Sequence, residues 1–258
     1  MGYATDISDA EWDLIKDHFA AYQTGRPRRC DIREVVNAIR YQQRTGCQWR
    51  LLPKDFPSFR TVQYHFYKWR DARLWEEIQG ELHKKWREQQ GRNATPSLGI
   101  IDSQSVKTVQ KGGPCGYDAG KNVKGRKRQI MTDITGHLIA ARVHSAGDQD
   151  RDGAKPLLES VIEGHDRLQV VLADGAYAGK LQEWFHRKTV GKKRIEVVKR
   201  SDKPGFEVIP KRWVVERWFG WINWLRRLSK DYDHNPLTSA ARLFIADSFM
   251  LARKLATT

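Results

Sequence analysis

The spacing of apolar residues changes once along this chain, and that change constrains the fold more than any other feature. Up to residue 90 apolar positions recur every three or four residues, the period of a helix with one buried face. Residues 91–97 (GRNATPS) are polar with Gly and Pro, the composition of a linker. From residue 98 short apolar runs alternate with helical stretches. Residues 98–101, 130–134, 138–143, 169–173 and 195–198 read as strands, with a hairpin turn at Thr135-Gly136. Residues 151–163, 178–188, 211–228 and 239–255 read as helices. This order predicts a mixed α/β sheet flanked by helices, preceded by a small all-α domain. The expected division is a helical domain over 1–90, a linker over 91–97 and an α/β domain over 98–258.

The helical part carries local signals for its ends. Ser8 with Glu11 is a capping box, Asp31 with Glu34 opens a second helix that Gly46 closes, and Ser58 can cap a third. The third helix places Phe59, Val62, Phe66 and Trp69 inward, so Arg60, Gln63, Tyr64, Tyr67 and Lys68 point outward. Short helices with tight turns suit a helix-turn-helix variant, and that outward face suits a DNA groove. A merely solvated helix face fits the same residues.

Charge narrows the partners. The 258 residues hold 46 Lys+Arg against 31 Asp+Glu, a net of +15. Residues 1–97 contribute 17 basic and 13 acidic side chains, the remainder 29 and 18, so most of the excess lies in the second region. It is clustered there. Lys107, Lys111, Lys121, Lys124, Arg126, Lys127 and Arg128 face only Asp118, and a second cluster between Lys199 and Lys230 includes Arg212, Arg226 and Arg227. Two same-sign clusters interleaved with Trp and Gly predict a track for nucleic-acid phosphates. No run reaches the ~18 apolar residues of a membrane span, and no lipidation motif or basic amphipathic helix favours a membrane surface. The charged N-terminus is no secretory signal, and Cys30, Cys47 and Cys115 form no CxxC pair. The expected location is the cytoplasm.

Three carboxylates stand where chemistry can be done. Asp102 follows an apolar run in GIIDSQSVKT, Asp174 follows another in VVLADGAYAGK, and Glu216 lies on a helix in RWVVERWFGWINWL. If the two strands are adjacent and parallel, both aspartates emerge at one sheet edge, where α/β sites form. Small residues follow each: Ser103, then Gly175 and Ala176. Carboxylates brought together repel, and divalent cations relieve that repulsion. Arg212, one turn before Glu216, suits a scissile phosphate; a surface Arg212–Glu216 ion pair is the plainer alternative.

On these residues the chain resembles the DDE-type transposases of bacterial insertion sequences, in the group named after insertion sequence five. The resemblance covers nearly the whole chain. It runs through GRPRR at 25–29, REVVNAIRY at 33–41, RTGCQWRLLP at 44–53, IDSQSVKT, GYDAGKNVKGRKRQ at 116–129, DRDGA at 150–154, LADGAY and RWVVERWFGWINWLRRLSKDY at 212–232. It implies a ribonuclease-H-like catalytic fold and Asp102, Asp174 and Glu216 as catalytic and metal-holding acids. It implies two Mg²⁺ ions, replaceable by Mn²⁺, and no small-molecule cofactor. The implied activity is cutting at the element's terminal inverted repeats and transfer of the 3′-hydroxyls into target DNA. Double-stranded DNA is the implied partner; from the outward face of the third helix and the basic clusters, the expected contacts are Arg60, Gln63 and Lys68, then Lys121, Lys124, Arg126, Lys127 and Arg128, and Arg212, Arg226 and Arg227. Because two ends are joined in one event, a homodimer on DNA is expected. The chain departs from the wider glutamate-helix signature at Ile209, in place of Tyr, and Asn223, in place of Lys; Gln129 stands where a His is expected.

Two rivals stand beside this reading: a metal-dependent nuclease of the same fold without strand transfer, and a non-catalytic sequence-specific DNA-binding protein. His137, in the hairpin turn, is expected to be exposed, and His144 with Asp148–Asp152 reads as a loop with helix-capping acids. Trp213, Trp218, Trp221 and Trp224 cannot all be buried on one helix face, so one or two are expected to stack on a frayed base, with Trp218 and Trp221 in the core.

Overall fold

The computed structural model describes residues 2–19, 30–109, 113–198 and 213–257. Four helices come first: α1 (Asp9–Asp13), α2 (Ile32–Thr45), α3 (Phe59–Asp71) and α4 (Leu74–Gln89). Their ends follow the local signals. Ser8 and Glu11 exchange both capping-box bonds, Asp31 accepts from Arg33 N–H, Ser58 accepts from Thr61 N–H, and Gly46 closes α2 at φ 75°.

The second region holds β1 (Leu98–Lys107), β2 (Gly116–Asp118), β3 (Val123–Thr132), β4 (Leu138–Ser145), α5 (Asp150–Gly164), β5 (Val170–Ala173), α6 (Lys180–Lys188), β6 (Arg194–Val197), α7 (Trp213–Asn223) and α8 (Pro236–Ala256). The strands form one sheet ordered β2-β3-β1-β5-β6, with β4 also on β3. β1, β3 and β4 are antiparallel neighbours, whereas β5 and β6 run parallel to β1. This is the ribonuclease-H-like arrangement that the resemblance implies, with helices on both faces. Ile101, Met131 and Val171 pack under α5 and α6. Ile100, Ile130, Leu138 and Leu172 pack under α7 and α8.

Three readings of the sequence need correction. The strand expected to stop at Asp102 continues to Lys107, because β3 pairs with it from Ile100↔Thr132 to Lys107↔Gly125. Backbone pairing extends it past the point where its apolar pattern ends. The helix expected over 211–228 ends at Asn223, and a 3₁₀ turn at Arg226–Leu228 follows; residues 211 and 212 lie outside the described residues. Arg128 Nη1 donates to Leu228 O at 2.7 Å, so that carbonyl bonds across to β3 rather than within a helix. His137 is wholly buried, not exposed.

The two regions share a core. Val35, Ile39, Phe66, Trp75 and Ile78 of the helical part belong to the same apolar cluster as Trp218, Leu243, Phe244 and Phe249. At its centre the buried Asp247 of α8 accepts from Gln79 Nε2 (2.8 Å), Leu138 N (3.0 Å) and Trp218 Nε1 (2.9 Å), and pairs with His137 Nδ1 (2.9 Å). One carboxylate thus ties α4, the β3–β4 hairpin, α7 and α8. Burial pushes its pKa up, but His137, Trp218 and the Leu138 amide outweigh that and hold it below the usual carboxylate value. A second buried acid, Asp133, binds Arg87 of α4. The segment 91–97 is tied down too: Asn93 O accepts from Arg87 Nε at 2.8 Å and Thr95 O from Arg167 at 2.8 Å.

Candidate active site

Register decides where the acids stand. β1 and β5 pair in parallel up to Ile100↔Leu172. Asp102 and Asp174 each lie two residues beyond that last pair, at the matching ends of neighbouring parallel strands. Side chains alternate across a sheet, so Asp102 shares the face of Ile100 and Asp174 that of Leu172. Both faces look toward α7, whose Val214, Val215, Trp218 and Phe219 join Ile100 and Leu172 in one cluster. Ladder pairing between the two strands has stopped at this level, so the chains part where the acids emerge.

Each aspartate is held by a backbone amide. Ser103 N–H donates to Asp102 Oδ1 at 2.7 Å. Asp174 caps the 3₁₀ turn Gly175–Tyr177, accepting from Ala176 N–H at 2.9 Å. Both side chains are half-buried, while Glu216 is exposed on the first turn of α7. The buried residues of α7 lie to one side of Glu216, and Gly220 and Asn223, at i+4 and i+7, continue its exposed stripe. Among the described residues, the one His/Cys/Asp/Glu trio with ligand atoms all within 4.8 Å of each other is His18, Glu77 and Glu81. The three acids of the sheet and α7 are not gathered that closely; mutual repulsion opposes it.

A polar layer lies beneath the acids, on the α5 side of the sheet. Ser103 Oγ donates to Asp150 Oδ1 at 2.7 Å, and Lys127 Nζ lies 3.1 Å from the same oxygen. Gln129 Nε2 donates to Asp150 O (2.9 Å) and to Tyr177 Oη (3.1 Å), and Gln129 Oε1 faces His144 Nε2 at 3.0 Å. Burial, then Asp102 and Asp150, push the Tyr177 hydroxyl well above its ordinary pKa. Burial pushes His144 down, partly opposed by Ser145 O and Asp148. Gln129 is thus a buried bridge. Sequence reading missed Tyr177; its one signal was a place three residues beyond Asp174 in LADGAY.

The basic run divides in two. Lys121 and Lys124 are exposed, with Lys121 Nζ 3.0 Å from Ser103 O. Arg126, Lys127 and Arg128 are inside the protein, not on the solvated face that their sequence suggests. Arg126 bonds Pro114 O (2.7 Å), His234 O (2.6 Å) and Asp231 (3.1 Å), while Lys127 bonds Asp148 O at 2.8 Å. Burial lowers the Arg128 guanidinium to about 10. Arg226 is exposed, and Arg227 pairs with Asp233 at 3.0 Å. On α3, Arg60 is exposed, and Gln63 and Lys68 are half-buried. Arg212, Lys111, Ile209 and the GRPRR segment fall outside the described residues.

Comparison with known proteins gives the family. Residues 93–246 match the family described as "Transposase DDE domain", and residues 7–79 match "Putative transposase of IS4/5 family (DUF4096)". A similar curated protein is "Putative transposase for insertion sequence element IS402" of Burkholderia cepacia, 33% identical over an alignment of 138 residues that covers 50% of this chain. The match covers 62% of that relative's length.

Proposed function

Because this chain belongs to the transposase DDE-domain family, we propose that it binds the terminal inverted repeats of an insertion sequence, cuts its ends and joins the 3′-hydroxyls to target DNA. The observation that supports this reading is the parallel pairing of β1 and β5, which brings Asp102 and Asp174 to matching ends of neighbouring strands that pack against the helix bearing Glu216. An all-carboxylate donor set suits a hard divalent cation such as Mg²⁺ or Mn²⁺, so the residues fit the metal that the family uses. When bound, paired ions activate a water or 3′-hydroxyl and stabilise the leaving oxygen of a phosphodiester.

The chain's own groups do the positioning. Backbone amides fix one oxygen of Asp102 and one of Asp174, which sets the direction of the rest of each carboxylate. Glu216 supplies the third acid from the opposite wall. Lys121, Lys124 and Arg226 are exposed cations suited to phosphates. Arg60, Gln63 and Lys68 of α3 form the proposed end-reading face, where base contacts specify and phosphate contacts position. Arg212, one turn before Glu216, is assigned to the scissile phosphate, and a homodimer on DNA handles both ends.

The test uses a duplex carrying the inverted repeat that flanks the gene. Asp102→Asn, Asp174→Asn and Glu216→Gln are each expected to abolish cleavage while end binding stays within a few-fold. Cleavage is expected with Mg²⁺ or Mn²⁺ and not with Ca²⁺. Activity retained by one variant removes that residue from the set. Cleavage without joining of precut ends would turn the reading to a nuclease.

A further inference from the structure

The four tryptophans on and just after α7 have separate fates. Trp218 is buried on Asp247. Trp213 and Trp221 flank Arg217, whose Cζ lies 4.4 and 4.8 Å from their ring centres, and Lys254 Nζ lies 4.5 Å from the Trp221 ring. These cation–π contacts keep two half-exposed rings within the protein's own structure. Trp224 joins no such stack among the described residues and is 75% exposed.

Trp224 stands at a cavity of about 550 Å³ between α2, α7 and α8. Trp221 and Phe249 give it apolar walls, Arg44, Arg253 and Lys254 give it positive charge, and no carboxylate lines it. Among the described residues the Arg44 and Arg253 guanidinium groups have no hydrogen-bond or ion-pair partner. Aromatic walls with uncommitted cations suit a planar ring that carries a negative charge, which is the chemistry of a nucleotide. The volume falls in the range of small-ligand sites. Stacked duplex bases cannot offer their faces to such a cavity, and an acidic peptide brings charge but no planar ring.

Its place relative to the acids fits. Glu216 and Gly220 share one exposed stripe of α7, Trp224 follows just past the helix end at Asn223, and a Cβ added at Gly220 would meet nothing within 4 Å, so a strand can lie against that stripe. The seven residues of helical rise from Glu216 to the end of α7 span about 10 Å, roughly three nucleotides at 3.4 Å each.

We propose that this cavity binds an unpaired nucleotide of a DNA strand that passes over α7, with Trp224 stacking on the base and Arg44 and Arg253 holding its phosphates. The proposal rests on the reading of the chain as a protein that acts on DNA.

The full chain is titrated against fluorescent (dT)12 and a blunt 12-base-pair duplex at one salt concentration. Trp224→Ala is expected to weaken (dT)12 about tenfold, the loss of one base–aromatic stack, and to leave the duplex within twofold. Trp224→Phe is expected to restore most of the loss. Arg44→Ala with Arg253→Ala is expected to weaken (dT)12 further and flatten its salt dependence. Melting curves should be unchanged, since all three side chains are exposed. If the wild-type chain binds neither probe, the DNA reading itself falls. If it binds the duplex but Trp224→Ala changes both probes alike, or neither, the cavity assignment alone is overturned. Displacement of (dT)12 by poly-glutamate with unchanged Trp224→Ala affinity would also overturn it, in favour of an acidic peptide.

Discussion

Asp247→Asn tests whether one buried carboxylate holds the helical region, the sheet and α7 together. Asp247 Oδ2 accepts from Gln79 Nε2 and Leu138 N, and Oδ1 faces Trp218 Nε1 and His137 Nδ1. Asparagine has the same shape but replaces one oxygen by an NH₂ group, which must then face donors. On the Oδ1 side the Trp218 N–H is orphaned, and a tautomer shift that lets His137 Nδ1 accept would turn the Nε2 proton toward Lys254 Nζ at 2.9 Å. On the Oδ2 side the Leu138 N–H is orphaned instead. An orphaned buried donor costs about 1–3 kcal/mol, and replacing a charge-assisted bond by a neutral one costs roughly another 1. The expected loss is therefore about 2–4 kcal/mol, a large share of the roughly 5–15 that holds a folded chain. The assay is urea unfolding at pH 7, followed by tryptophan fluorescence and far-ultraviolet circular dichroism. Because Trp218 sits on the helix that carries Glu216, cleavage is expected to fall as well, while binding to end DNA changes less. A loss below about 0.5 kcal/mol, smaller than any single orphaned donor allows, would refute the reasoning.

The acid limb of stability follows from the same groups. Asp247, Asp133 and Asp233 all have folded-state values below their ordinary ones, so their contribution is fully present above about pH 4 and is lost as pH falls through the folded values; an unfolding midpoint independent of pH from 5 to 2 would contradict this. Lys124→Ala is expected to reduce the slope of log K against log salt by about 0.9 on duplex DNA with little change in melting temperature, whereas Arg126→Ala, which removes the Asp231 ion pair and the donors to the Pro114, Asp233 and His234 carbonyls, is expected to lower the melting temperature; equal effects on both readouts would remove the distinction. A fragment of residues 2–90 is expected to lack a cooperative thermal transition, because its core is completed by α7 and α8; a sharp transition in the fragment would show that the helices fold alone.

Local chemistry was legible from the residues alone. Capping at Ser8, Asp31 and Ser58, the stop at Gly46, the change of period near residue 97 and the acids at the ends of apolar runs all depend on neighbours within a few positions, where sequence and structure are directly coupled. Two things were settled by tertiary structure. Pairing with β3 set the length of β1, and pairing with β5 brought Asp102 and Asp174 to matching strand ends, since register depends on partner strands distant in the chain. Burial of charge was decided in the same way. Arg126, Lys127 and Arg128 look from their spacing like a solvated track, yet carbonyls and carboxylates contributed by other segments take up their donors. A run of like charge shows how much positive charge a segment carries, but only the packed chain determines whether a protein oxygen or a phosphate lies within reach of each group.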